Sequence, residues 1–87
     1  MSRPKKDDAI RQAMCKRFVL AMERLDMNAS QVARALGYAN VTTISKVQRG
    51  ESFVDVERLY FLANLKAPDG SGIDLNWLIA GKGKSAR

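Results

Sequence analysis

The chain has 87 residues, 46% apolar and 28% charged, an ordinary globular mix with enough length for one small core but not two. No apolar run approaches the ~18 residues that cross a bilayer and no signal peptide opens the chain; the absence of histidine and the presence of one cysteine, Cys15, exclude an internal disulfide, zinc and iron–sulfur sites and the commonest general base. Fifteen Lys and Arg against nine Asp and Glu give +6, which points to a polyanionic partner, nucleic acid ahead of an acidic membrane or protein surface.

The elements read as helices throughout, with no sustained alternating β-branched run. The first begins at Asp7 or Asp8, where an acidic residue complements exposed amides. Its stripe Ile10, Met14, Phe18, Ala21, Met22 and Leu25 follows three- and four-residue spacing, and Cys15 borders it. The second runs from Ala29 to Leu36. Asn28 and Gln31 form a capping box, Met27 and Val32 a hydrophobic staple, and Gly37 closes the helix in the left-handed conformation that glycine favours. After Tyr38-Ala39, Asn40 caps a third helix, Val41 to Arg49, closed by Gly50. Ile44 and Val47 face its core, while Val41, Thr42, Ser45 and Lys46 face outward. The fourth helix starts at cap Asp55 with Val56, Leu59, Tyr60 and Ala63 as its inner stripe. A loop over 67–72 with Pro68, Gly70 and Gly72 follows. The fifth runs from cap Asp74 through Leu75, Trp77, Leu78 and Ile79 to Gly81. The chain thus divides into a basic arm (1–6), one helical domain (7–81) and a basic tail (82–87).

The charge is unevenly spread. Residues 1–17 carry net +4 and residues 82–87 +3, while 18–81 hold six basic and seven acidic side chains. Within that interior, Met27 to Gly50 contains no Asp or Glu but does contain Arg34, Lys46 and Arg49. The same window holds two short helices joined by a glycine turn, the second with a small polar outer face where a merely solvated helix would carry more Glu and Lys. That pattern is a helix-turn-helix. A second helix of this kind fits the major groove, about 12 Å wide, and reads bases with its N-terminal residues. Asn40, Val41, Thr42, Ser45 and Lys46 are therefore the candidate base readers: Lys46 toward guanine O6 or N7, Thr42 and Ser45 toward several bases, Val41 against a thymine methyl. Thr43, Arg49 and the backbone amides at Ala29 suit phosphates.

Asn28-Ala-Ser-Gln-Val-Ala-Arg-Ala-Leu-Gly37 followed by Thr42-Thr-Ile-Ser-Lys-Val-Gln-Arg-Gly50 resembles the helix-turn-helix of the Cro/CI-type (XRE-like) repressors of phages and bacteria. Asp55-Val-Glu-Arg-Leu59 continues the resemblance, and Leu75-Asn-Trp-Leu-Ile-Ala-Gly81 is similar to the Leu-x-Trp-Leu-x-x-Gly ending of CI-like DNA-binding domains. Together these segments span roughly residues 17–83, the order and spacing of the four carrying more than any one. The resemblance implies a compact all-α, five-helix lambda-repressor-like domain that binds a palindromic operator in double-stranded DNA as a homodimer and represses transcription in the bacterial cytoplasm. The chain departs from the family at Ala29, where a phosphate-contacting Gln is usual, at Val41, where Gln or Arg is common, in a turn one residue longer, and in a longer loop at Pro68–Gly72. Many CI-like repressors continue into a second domain, so a stand-alone regulator or a DNA-binding fragment is expected.

Other features read less sharply. Arg3, Lys5 and Lys6 are a solvated terminus or an arm reaching the minor groove or phosphates. Trp77 and Leu78 are core or dimer anchors, with the flank of the first helix as further dimer surface. Gly83-Lys84-Ser85 fails as a phosphate loop because position 78 is Leu. No small-molecule ligand, cofactor, metal or catalytic constellation is expected. Two other readings share the features: an antitoxin or adaptor whose main partner is an acidic protein, and a restriction–modification controller of the same fold and size.

Overall fold

The computed structural model describes residues 5–82, with side chains from Asp8 onward, and in them five helices follow in chain order: α1 (Lys5–Leu25), α2 (Ala29–Ala35), α3 (Thr42–Gln48), α4 (Val56–Ala63) and α5 (Leu75–Ala80). No strand occurs among the described residues. α1, 21 residues long and therefore about 31 Å from end to end, packs against α3 and α5, while α2 packs against α3. The core gathers one stripe from every helix. Phe18, Val32, Leu36, Ile44, Val47, Leu62 and Leu78 are fully buried, and among the described residues no polar or charged one is buried with them. Ile73, alone and apolar after Gly72, reaches the core from the loop before α5, and Phe53 meets Phe18 edge to face with ring centroids 5.9 Å apart.

Helix ends follow the sequence's own signals in most places. Asn28 Oδ1 accepts from the Gln31 amide and Gln31 Oε1 from the Asn28 amide, both at 2.8 Å, so the capping box is formed, with Val32 buried and Met27 packed against the core. Asp74 Oδ1 accepts from the Asn76 amide at 2.9 Å, and Gly81 ends α5 at φ 74°. α1 ends in the same kind of turn without a glycine. Asp26, at φ 58°, donates its amide to Glu23 O, and Met27 donates to Met22 O. This paired closure normally places glycine where Asp26 stands.

Several expectations need correction. α1 begins at Lys5, not at Asp7 or Asp8. Lysines are good helix formers, and both aspartates still sit in the first turn, where an acid suits the helix dipole. The helical backbone therefore starts within the expected arm at Lys5 and Lys6; Arg3 and the tail beyond Lys82 lie outside the described residues. Ile10 leaves the stripe for solvent, and Cys15 is buried in its place. α4 is turned relative to expectation. Leu59 and Leu62 go inward, while Val56 and Tyr60 are exposed. Eight residues with apolar side chains at 56, 59, 60, 61, 62 and 63 offer two adjacent stripes, and only tertiary packing selects between them. Finally, Leu78 is fully buried, so it is a core residue and supplies no dimer surface, and Trp77 is half-buried against the same core.

Candidate nucleic-acid interface

α2 and α3 are joined by a turn closed by backbone hydrogen bonds at its start. Gly37 donates to Arg34 O at 3.1 Å and Tyr38 to Ala33 O at 2.9 Å, which takes up the last carbonyls of α2 and requires a left-handed residue between. Gly37 supplies it at φ 87°. A side chain there would be strained, and its Cβ would also stand 3.0 Å from Arg58 Nη1. Arg58 crosses from α4 to close the same turn. Its Nη1 donates to Leu36 O at 2.9 Å, and its guanidinium carbon lies 5.0 Å from the centroid of the Tyr38 ring. Burial raises the Tyr38 phenol above its ordinary pKa, with the Asp55 charge acting in the same direction.

The start of α3 differs from expectation by one residue. Val41, not Asn40, occupies the cap position and makes no side-chain cap bond. Asn40 acts from one residue further out, its Oδ1 accepting the Thr42 amide at 2.9 Å. This short side-chain bond holds the chain in a turn until Thr42 and delays the helix. The Asn40 oxygen is thereby committed to the protein backbone, leaving Nδ2 as its donor.

The outward face of α3 is open. Asn40, Thr42, Lys46, Gln48 and Arg49 are exposed and Val41, Thr43 and Ser45 half-exposed, while Ile44 and Val47 fill the core beneath. Thr42, Ser45, Lys46 and Arg49 recur at three- and four-residue spacing and share one face. None of the candidate base readers is smothered. At the start of α2, the capping box takes the Asn28 and Gln31 amides, and those of half-exposed Ala29 and exposed Ser30, at the first two helical positions, have no intrahelical acceptor.

Arg49 is not the free cation the sequence suggested. Its Nε donates to Glu51 Oε2 at 2.8 Å and its Nη2 to Oε1 at 3.4 Å. The arginine's hydrogen bond holds the Glu51 carboxyl below the usual range, and the carboxylate in turn keeps Arg49 more firmly protonated. The expected phosphate contact therefore competes with an acid two residues away. An exposed pair of this kind is weak, so the competition is real but modest.

The basic residues of the fold divide into two groups, a division that composition could not reveal. Arg11 Nε donates to Gly50 O at 3.2 Å, Arg17 Nε and Nη2 to Leu78 O and Ile79 O at 2.8 and 2.9 Å, and Arg24 pairs with Asp69 at 3.7 Å. Arg11, Arg17 and Arg58 thus close helix ends and loops, where a cation meets unsatisfied carbonyls, and Arg24 ties α1 to the loop that carries Asp69 and Ser71. Lys16, Arg34, Lys46, Lys66 and Lys82, by contrast, are exposed and make no ion pair among the described residues. Lys16 lies with Gln12, Val19 and Leu20 of α1 along an open cleft of about 640 Å³ whose other wall is Gln48, Arg49 and Gly50. Of the unpaired cations, Lys46 lies on α3, Lys16 faces its end across the cleft and Arg34 lies beside Asn40 and Val41 at its start, while Lys66 and Lys82 lie beyond α4 and α5. Cys15, at the floor of that cleft, donates its thiol to Ser52 O at 3.3 Å, and burial pushes its pKa up, which leaves an unreactive protonated thiol.

No helix of the described residues is long and apolar enough to cross a membrane, and no cluster of three or more Cys, Asp or Glu that could hold a metal occurs among them. Compared with known proteins, the chain matches no family model, no curated protein and no solved structure.

Proposed function

We propose that the chain is a sequence-specific regulator of transcription that binds double-stranded DNA with α3 in the major groove, in the manner of the Cro/CI-type repressors it resembles, and that two copies read a palindromic operator. The observation that carries this reading is the open, acid-free face of Thr42, Ser45 and Lys46 on a short helix braced by α2 and its turn. A helix of this kind is narrow enough for the groove, and its side chains are short enough to bring the backbone close to base edges. Lys46 donates to guanine, Thr42 and Ser45 bond to whichever base presents a partner, and Val41 contributes apolar contact with a thymine methyl. The Ala29 and Ser30 amides, Thr43, Arg49 and the exposed Lys16 and Arg34 face phosphates, which fix register without reading sequence. Asn40 serves mainly to start α3, since its oxygen is bound to the Thr42 amide. Repression follows from occupancy of the site by a bound dimer that blocks polymerase.

Selection of bound sites from random duplexes tests this reading. The expected result is an enriched two-fold site with half-site centres about 34 Å apart. Affinity for that site should fall about 10³–10⁵-fold between 50 and 200 mM salt if six to ten phosphates are neutralised. Recovery of unenriched sequence would contradict it. A restriction–modification controller would give the same site symmetry and differ in the gene it governs. The antitoxin or adaptor reading draws on the basic ends, net +4 over residues 1–17 and +3 over 82–87, which suit an acidic protein, and predicts a tight co-purifying protein with no retardation of genomic DNA fragments.

A further inference from the structure

The cleft between α1 and the end of α3 has the dimensions of a small-molecule site. Its volume of about 640 Å³ falls within the ~300–1,000 Å³ of ligand pockets, which are mostly apolar with a few placed polar groups. Cys15, Val19 and Leu20 supply an apolar floor and wall, and Gln12, Lys16 and Arg49 a polar rim. Long-range bonds fix the walls. Arg11 Nε donates to Gly50 O at 3.2 Å and the Cys15 thiol to Ser52 O at 3.3 Å, so α1 is tied at two points to the segment that follows α3. A Cβ on Gly50 would stand 3.6 Å from Gln12 Cγ and span the gap; the glycine that closes α3 thus also keeps the cleft open. These ties join residues 39 and 37 apart in the chain, so no local pattern announces the cleft.

Charge selects the occupant. No Asp or Glu lines the cleft. Of its two cations, Lys16 makes no ion pair among the described residues, and Arg49 spends Nε and Nη2 on Glu51, leaving Nη1 to donate. The carbonyls at the end of α3, which would repel an anion, are already taken. Ser45, Lys46 and Val47 O accept from the Arg49, Glu51 and Gly50 amides, and Gly50 O accepts from Arg11. Such a site suits a molecule with an apolar body and a single anionic head. We propose that the cleft binds a small amphipathic carboxylate, its body against Val19, Leu20 and Cys15 and its head toward Lys16 and Arg49, and that filling the cleft loosens the hold on DNA.

Binding of the carboxylate stands on the cleft alone, whereas the release of DNA deepens the reading above and rests on it. There Lys16 and Arg49 face phosphates. A carboxylate that engages both removes two phosphate contacts and adds a negative charge beside α3. The coupling is reciprocal, so DNA weakens the carboxylate by the same factor by which the carboxylate weakens DNA. Glu51 competes with the ligand as it does with phosphate, because it holds two of the Arg49 donors.

Titration of the full chain with octanoate, followed by NMR amide shifts, tests the proposal, with octanol as the body without the charge and acetate as the charge without the body. Octanoate should shift the signals of Cys15, Lys16, Val19, Leu20 and Gly50 with a Kd on the order of millimolar, at least ~5-fold tighter than either control. Lys16→Met should abolish the preference for octanoate over octanol. Leu20→Asn, at a side chain 51% exposed and therefore tolerant of change, should weaken both, and Glu51→Gln should tighten octanoate. Lys66→Gln, remote from the cleft, should bind like the wild type. Unmoved cleft signals, acetate acting as strongly as octanoate, or a Lys16→Met chain that keeps the preference would each overturn the site. In a second measurement, octanoate near saturation should lower affinity for the selected duplex at least ~5-fold below that in equal acetate, which matches the ionic strength. Undiminished duplex affinity with the cleft filled would overturn the release of DNA. A chain that binds octanoate here yet no duplex supports the site and overturns the DNA reading.

Discussion

Arg58→Met removes the clamp on the helix-turn-helix while keeping an apolar stem of similar length, so it isolates the guanidinium. Two interactions are lost. The first is the bond from Nη1 to Leu36 O at 2.9 Å, a charged donor at the C-terminal end of α2, where the backbone dipole favours a cation; hydrogen bonds to charged groups contribute about 1.5–3 kcal/mol. The second is the contact over the Tyr38 ring at 5.0 Å, worth about 0.5–1 kcal/mol near a surface. Together they set an expected loss of about 2–4 kcal/mol, which for a domain of this size lowers Tm by roughly 8 °C or more. Thermal melts of wild type and variant measure it, and a double-mutant cycle with Tyr38→Leu should return a coupling of about 0.5–1 kcal/mol. If Arg58→Met costs less than about 0.5 kcal/mol, in the range of an ordinary surface change, then Arg58 does not hold the turn and the reasoning fails.

Further outcomes follow from the same geometry. Asp26→Gly should stabilise the chain by about 0.5–1 kcal/mol, because it relieves a left-handed residue at φ 58° and removes an acid from a helix C-terminus; a lower Tm would contradict the account of how α1 ends. The hydrogen bond from Arg49 holds the Glu51 carboxyl below its ordinary 4.5, and that from the Ser71 side chain holds Asp69 below 3.8. Both groups bind protons more weakly folded than unfolded, so their contribution is present above the ordinary values and is lost as pH falls through the lowered ones. Tm should therefore decline below about pH 5, with a shallower decline in Asp69→Asn; an identical profile in that variant would refute the assignment. Glu51→Gln should tighten binding to all duplexes alike by freeing Arg49 and removing a nearby negative charge, and a titration showing weaker binding would count against the competition between Glu51 and phosphate.

The fold was legible where local chemistry decides. Asn28 and Gln31 announce the start of α2, Gly37 and Gly81 announce helix ends, and Ile44 with Val47 mark the inner face of α3 by their spacing. Legibility failed where two local solutions were equally good. The apolar positions of α4 allow either stripe, and packing by Leu59 and Leu62 against distant residues made the choice. Leu78 and Trp77 look alike as anchors in sequence, yet only burial separates the core residue from its half-exposed neighbour. Asn40 and Val41 exchanged roles because an Asn side chain bonds two residues ahead as readily as it caps. The largest omission concerned Arg11, Arg17, Arg24 and Arg58. Counted as charge they point outward to a polyanion, but each binds a carbonyl or an acid far away in sequence, a fact that no spacing rule contains.

The central claim is that the outer face of α3 reads DNA bases, and the affinity of Lys46→Ala and Arg49→Ala for an enriched site and for random duplex tests it most directly. Lys46→Ala should cost about 1–3 kcal/mol on the enriched site and far less on random sequence, erasing discrimination, whereas Arg49→Ala should weaken both alike and lower the salt slope by about one. Equal losses on both duplexes from both substitutions, or a wild-type chain that prefers no sequence, would contradict it.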